Sequence, residues 1–203
     1  RHQILKGSVS KGRLMMEELA KDDFGRAHGY LAGSYLHGFG NPDIVNLNKG
    51  LEFAKSGTEL MDPTAAALLL PQLYLDPSLV FPFKSYRTVQ DVIPLLERAT
   101  LRKLPYSPID KLGLLNLNSF LWAYFLGQTP FSSTHEEAKS LDYAIFSAFY
   151  GDSPAYFYLA VSQKVSDVSA YALFNAALRT DEYSLRKLSV DQSMMARSAM
   201  EKI

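Results

Sequence analysis

Apolar residues recur along most of the chain at intervals of three and four, the spacing that gathers them on one face of an α-helix. Alternating runs that would mark a half-buried strand are scarce, and no Asn-Gly or Asp-Gly hairpin turn occurs. The pattern predicts an all-helical protein. Asp62-Pro63 and Asp152-Ser153-Pro154 mark helix starts. Each puts a carboxylate that can accept from free backbone N–H groups ahead of a proline with no N–H to satisfy. The cluster Gly38-Phe39-Gly40-Asn41-Pro42 predicts a turn between helices.

The same pattern repeats. Lys11-Gly12 returns as Lys49-Gly50, 38 residues later. Ala27 lies 15 residues after Gly12, and Ala65 lies 15 after Gly50. Each alanine is followed four residues on by a leucine (Leu31, Leu69), and four further by Tyr35 and Leu73. Ser140, Ala155 and Leu159 repeat the frame near the other end. The third residue after each start is bulky: Met15, Phe53 and Tyr143. A weaker copy runs from Val92 through Leu95, Ala99 and Thr100, and its next helix is delayed by Pro105 and Pro108 until about Leu117–Leu121. A degenerate copy spans Val168, Tyr171, Ala176 and Ala177. Small residues let helix backbones approach, and large ones fill the space between ridges. One helix pair cannot bury its own face, so neighbours must stack. The frame predicts a right-handed α/α superhelix of about four to five antiparallel helix pairs, forming one domain over 1–203. The clearest repeat is at about 27–65, and an irregular insertion falls at about 76–116. Pro71, inside a predicted helix, is expected to kink it.

Composition narrows the function. With 203 residues, 47% hydrophobic and 21% charged, the chain can bury a core and is not of the disordered class. The 21 basic and 21 acidic residues cancel, which argues against a nucleic-acid backbone or an anionic membrane as the main partner. There is no cysteine, hence no disulfide, thiolate nucleophile or zinc finger. Leu112–Thr134 carries no charge, but Leu112–Gly127 is short for a membrane span and contains Asn116, Asn118 and Ser119. A buried helix is expected there, and no transmembrane segment. The chain starts at Arg1 without a secretory h-region, so a targeting segment has been removed or the chain is cut from a longer one. A periplasmic or otherwise exported location is favoured over a cytoplasmic one.

No catalytic, metal or cofactor site is expected. His28 and His37 are too far apart in sequence for a helical metal pair, and His135-Glu136-Glu137 lacks the second histidine of a zinc-protease helix. No G-x-S-x-G elbow, G-x-G-x-x-G or Walker loop occurs. Tyr156-Phe157-Tyr158 points three ways on a helix, and no basic excess surrounds it.

Ala27, Leu31, Tyr35, Gly38 and Gly40, followed by Lys49, Phe53 and Gly57, resemble the Sel-one-like repeat, a relative of the tetratricopeptide repeat. Gly151-Asp152-Ser153-Pro154-Ala155 and Leu159 look like its exit from one helix and start of the next. Ala32, Gly50 and Met61 depart from the pattern, where glycine, alanine and glycine are usual. The resemblance implies a non-enzymatic scaffold or adaptor that takes a protein or peptide in a concave groove, as such proteins do in bacterial envelope or secretion assemblies. It also implies groove positions near offsets −5, −2, +2, +5 and +6 from Leu31, Leu69, Leu121 and Leu159. These select Arg26, Gly33, His37, Tyr74, Asn116, Ser119, Gly127, Phe157 and Lys164. Tyr74 and Phe157 could equally be packing residues, and Asn116 a cap. A helical enzyme or small-molecule binder is the alternative. An obligate assembly that uses exposed Trp122 and Tyr124 as interface is a third.

Overall fold

In a computed structural model, residues 2–38, 42–81, 86–101, 108–133, 135–162, 165–181 and 187–202 are described. Every element among them is helical. In order they are α1 (His2–Lys21), α2 (Gly25–His37), a 3₁₀ turn (Pro42–Ile44), α3 (Leu47–Glu59), α4 (Pro63–Leu75), the single-turn α5 (Pro77–Val80), α6 (Val89–Leu101), α7 (Pro108–Phe125), α8 (Glu137–Phe149), α9 (Ser153–Val161), α10 (Asp167–Asp181) and α11 (Val190–Met200). The repeat frame read from the sequence falls on them in register. Its starts at residues 12, 50, 92 and 140 lie in α1, α3, α6 and α8, and its alanine-to-leucine stretches lie in α2, α4 and α9. Pro71 sits inside α4, which runs unbroken past it.

The chain divides into two compact units, Arg1–Leu117 and Asn118–Ile203, with the division inside α7. In the first, α2 packs on α1, α3 and α4, and α3 packs on α4 and α6. Its core includes the fully buried Leu31, Leu69, Leu73 and Leu96. Each such leucine contributes about 2 kcal/mol through removal from water. In the second, α9 packs on α8 and α10, and α10 on α11. Trp122, Ala123, Ala144, Ala148, Ala155 and Leu159 form one cluster there, and Phe157, Phe174, Ala177 and Ala196 belong to another.

Three turns join helices by the same construction, each with one residue in the left-handed region: Asp23 (φ 55°), Met61 (φ 59°) and Gly151 (φ 99°). The amide of that residue donates back to Ala20, Thr58 or Ala148, and the next amide donates to Leu19, Gly57 or Ser147. These bonds satisfy carbonyls that the helix end would leave open. Glycine takes this conformation without strain and aspartate tolerates it, but a methionine there is strained.

A second construction also recurs. The amide of Asn46 donates to the carbonyl of Tyr35 at 2.8 Å, and that of Glu136 to Phe125 at 2.8 Å. Tyr35 stacks on Phe53, and Phe125 on Tyr143, each with ring centroids 5.7 Å apart. Lys49 lies over the Tyr35 ring and Lys139 over the Phe125 ring. The two sets are related residue by residue by a constant shift from 35 to 125, 49 to 139 and 53 to 143.

Candidate functional site

The leading helix of each repeat carries its leucine inward, so the positions around that leucine decide what a partner can touch. Offset −2 is an interior position. In α2 it is Gly29, where an added Cβ would lie 2.3 Å from Asp62 Oδ1. In α4 it is buried Ala67. The same offset selects Ser119 and Phe157, and both are turned inward. Ser119 is 3% exposed, and its hydroxyl hydrogen-bonds with Ser147 at 2.7 Å and donates to Asp152 at 2.8 Å. Phe157 meets Phe174 edge to face. Side chains so placed offer nothing to a partner.

The outer offsets behave differently. His37, at +6 in α2, is exposed. Tyr74, at +5 in α4, is 49% exposed and is flanked by exposed Pro71 and Leu75. Gly50 of α3 lies against Leu36 near the end of α2 and Gly57 against His28 near its start, and Gly57 also meets Ala65 near the start of α4, so α2 and α4 run parallel. His37 and Tyr74 therefore stand at the same end of the first unit. Arg26, at −5, is partly exposed and donates to Asp110 Oδ2 of α7 at 2.8 Å. The buried carboxylate holds the guanidinium in place, and nothing in the local sequence around either residue signals the pair. Asn116, at −5 in α7, is half-buried. Gly33 is buried. Gly127 lies beyond the end of α7 at φ 78°. Lys164 lies outside the described residues.

Other polar groups bind the repeats together. Tyr35 donates to Glu17 at 2.7 Å and accepts from Lys49 at 2.7 Å, so one phenol joins α1, α2 and α3. Burial of the Lys55 amine pushes its pKa down. In the second unit, Asp152 is 1% exposed and accepts from Ser119, Ser147 and the Trp122 indole. Trp122 and Tyr124, expected as interface aromatics in an obligate assembly, are both buried. The indole points at Asp152, and the Tyr124 ring stacks on Phe120 and meets Phe125 edge to face.

Among the described residues, no group of three or more histidine and carboxylate side chains is placed to hold a metal ion. None of the described helices is long and apolar enough to cross a membrane.

No family model and no curated protein matches the chain. Among solved structures, it is similar to a Sel1 repeat protein from Oxalobacter formigenes, with a TM-score of 0.54 and 17% identity over 95% of this chain and 78% of that one. The likeness is one of backbone architecture, and it agrees with the frame of alanines, leucines and turn residues followed above. The chain thus has the fold of a Sel1-like α/α repeat protein, in a divergent form.

Proposed function

We propose that the protein is a non-enzymatic helical-repeat scaffold that binds a protein or peptide through the outer positions of the first unit, at Arg26, His37 and Tyr74. The observation that carries this reading is the split between offsets. The −2 positions are consumed by packing, whereas His37 at the end of α2 and Pro71, Tyr74 and Leu75 in the last turns of α4 stand exposed. A half-exposed tyrosine beside apolar groups is a composition that concentrates binding energy at protein interfaces. Arg26 contributes a guanidinium already oriented by Asp110.

A setting in a bacterial envelope or secretion assembly belongs to the same proposal. It is supported by the repeat resemblance and by a chain free of cysteine. The test is capture of partners by crosslinking in cells, followed by pull-down with intact protein and with the His37→Ala/Tyr74→Ala double variant. Loss of the captured partner, with helical content unchanged, supports the surface. Undiminished capture by the folded double variant rejects it.

A further inference from the structure

The leading helices share a starting point. α2, α4 and α9 each begin six residues before the leucine of the frame, at Gly25 for Leu31, Pro63 for Leu69 and Ser153 for Leu159. α7 begins thirteen residues before Leu121, at Pro108. It therefore carries about two turns that the repeat does not call for. Those turns lie across the starts of α2 and α4. A Cβ on Gly113 would sit 2.9 Å from the Pro63 carbonyl and from the Thr64 nitrogen. One turn earlier, Asp110 accepts from Arg26 at 2.8 Å. Arg26 and Thr64 hold the same place in the frame, five residues before Leu31 and Leu69. One short segment thus covers that place on both helices.

The cover is held lightly. From 110 to 113, Asp110 and Gly113 face the body, whereas Lys111 and Leu112 are exposed. Among the described side chains of α7, the buried apolar ones start at Leu114. The Arg26 side chain is 32% exposed, so salt reaches the ion pair. Oγ1 of Thr64, the residue on which Gly113 rests, is shut off from solvent and meets no hydrogen-bond partner among the described residues. A hydroxyl held that way disfavours the closed arrangement and is relieved once water reaches it. Segments with few buried apolar contacts open more readily than the core they lie on.

We propose that residues 108–113 form a strap that opens while the rest of the chain stays folded, pivoting ahead of Leu114. Closed, the strap covers the first turns of α2 and α4. Open, it uncovers Arg26 and Thr64 and lengthens the exposed face that begins at the His37 end of these two helices. That use of the strap rests on the scaffold reading above. The opening itself does not, and it is tested without a partner.

The chain has no cysteine, so Thr64→Cys supplies a single thiol at the strap, where the hydroxyl has no bond to lose. Its labelling by dithionitrobenzoate is followed as a rate. The expected rate is well below that of a free thiol and changes little with urea below the unfolding transition, as for a local opening. Adding Asp110→Asn raises it about tenfold, through loss of one charged hydrogen bond. Adding Lys111→Ala, on the outer side of the strap, leaves it unchanged. Salt gives an arm that needs no second substitution: about 1 M sodium chloride speeds labelling by screening the ion pair. That arm decides the matter where Asp110→Asn weakens the whole fold. A rate that climbs with urea as steeply as the unfolded fraction overturns the proposal, because the thiol is then reached only by global unfolding. A rate equal to that of a free thiol overturns it too, since nothing then covers Thr64. So does a rate that neither Asp110→Asn nor salt alters.

Discussion

Two corners of the molecule occupy the same place in the repeat and do different work. At the first, Asp62 ends the turn after α3, flanked by Gly29 of α2 and Gly57 of α3. At the second, Asp152 ends the turn after α8, flanked by Ser119 of α7 and Ser147 of α8. The backbone bonds are alike: the Asp62 amide donates to Gly57 at 2.9 Å, and that of Asp152 to Ser147 at 3.1 Å. The carboxylates are not used alike. Asp62 accepts from the Ala65 amide at 2.8 Å and caps α4. Asp152 makes no such cap and accepts from two serine hydroxyls and an indole. The residues facing the carboxylate make the difference. Beside Asp62 stand two glycines with no side chain to offer it, and at Gly29 the close approach leaves no room for one. Two serines and Trp122 turn Asp152 outward from its helix and into the core.

The largest expected effect comes from removing the hub. Asp152→Ala leaves three buried donors without their acceptor and should cost about 3 kcal/mol or more. Urea unfolding followed by emission of Trp122, the single tryptophan, checks this, since that side chain touches the carboxylate directly. Next comes an attempt to turn one corner into the other. Gly29→Ser copies Ser119 into the first unit, but its Cβ would sit 2.3 Å from Asp62 Oδ1. We expect a loss of about 2 kcal/mol from the forced displacement. A stable variant with a new serine–carboxylate bond would show that the glycine is not required.

The turns themselves give a stabilising change. Met61 holds the position that Gly151 holds in the second corner, at φ 59°. Met61→Gly should gain about 1 kcal/mol by relieving that strain, offset in part by a freer unfolded chain. Thermal unfolding reads the gain. The smallest effect belongs to a carboxylate that caps in the open. Asp91 accepts from the Arg87 and Thr88 amides at 2.9 Å. The Arg87 amide first, then the Thr88 hydroxyl and amide, hold its carboxyl below the usual range. Its folded-state pKa is depressed, so its contribution is complete above the ordinary carboxylate range and fades as pH falls through the lowered value. Acid unfolding of Asp91→Asn should differ from wild type slightly and only above that value.

Much of this was legible in the sequence because it is periodic. Gly12, Gly50 and Ser140 mark following helices, Ala27 and Ala65 mark leading ones, and the bulky third residue foretells the Tyr35–Phe53 and Phe125–Tyr143 stacks. Met61 was visible as a departure where glycine is usual, and the strained φ gives that departure a physical meaning. The groove offsets fall on two kinds of position. The outer offsets placed His37 and Tyr74 on the surface, whereas the −2 offset placed Ser119 and Phe157 inside. That position faces the next turn, and a one-dimensional pattern does not distinguish the two sides of a helix when both are packed. Arg26–Asp110 and the Asp152 cluster were not legible at all. Their partners come from different helices, and no local spacing encodes the meeting.

The difference between the two aspartates can be measured directly, by urea unfolding of Asp62→Ala beside Asp152→Ala, each followed by helical circular dichroism. A lost cap costs about 1 kcal/mol, and a lost hub about three times that. Asp152→Ala is expected to cost at least twice as much as Asp62→Ala. Equal costs would contradict it, because the two aspartates would then be doing the same work.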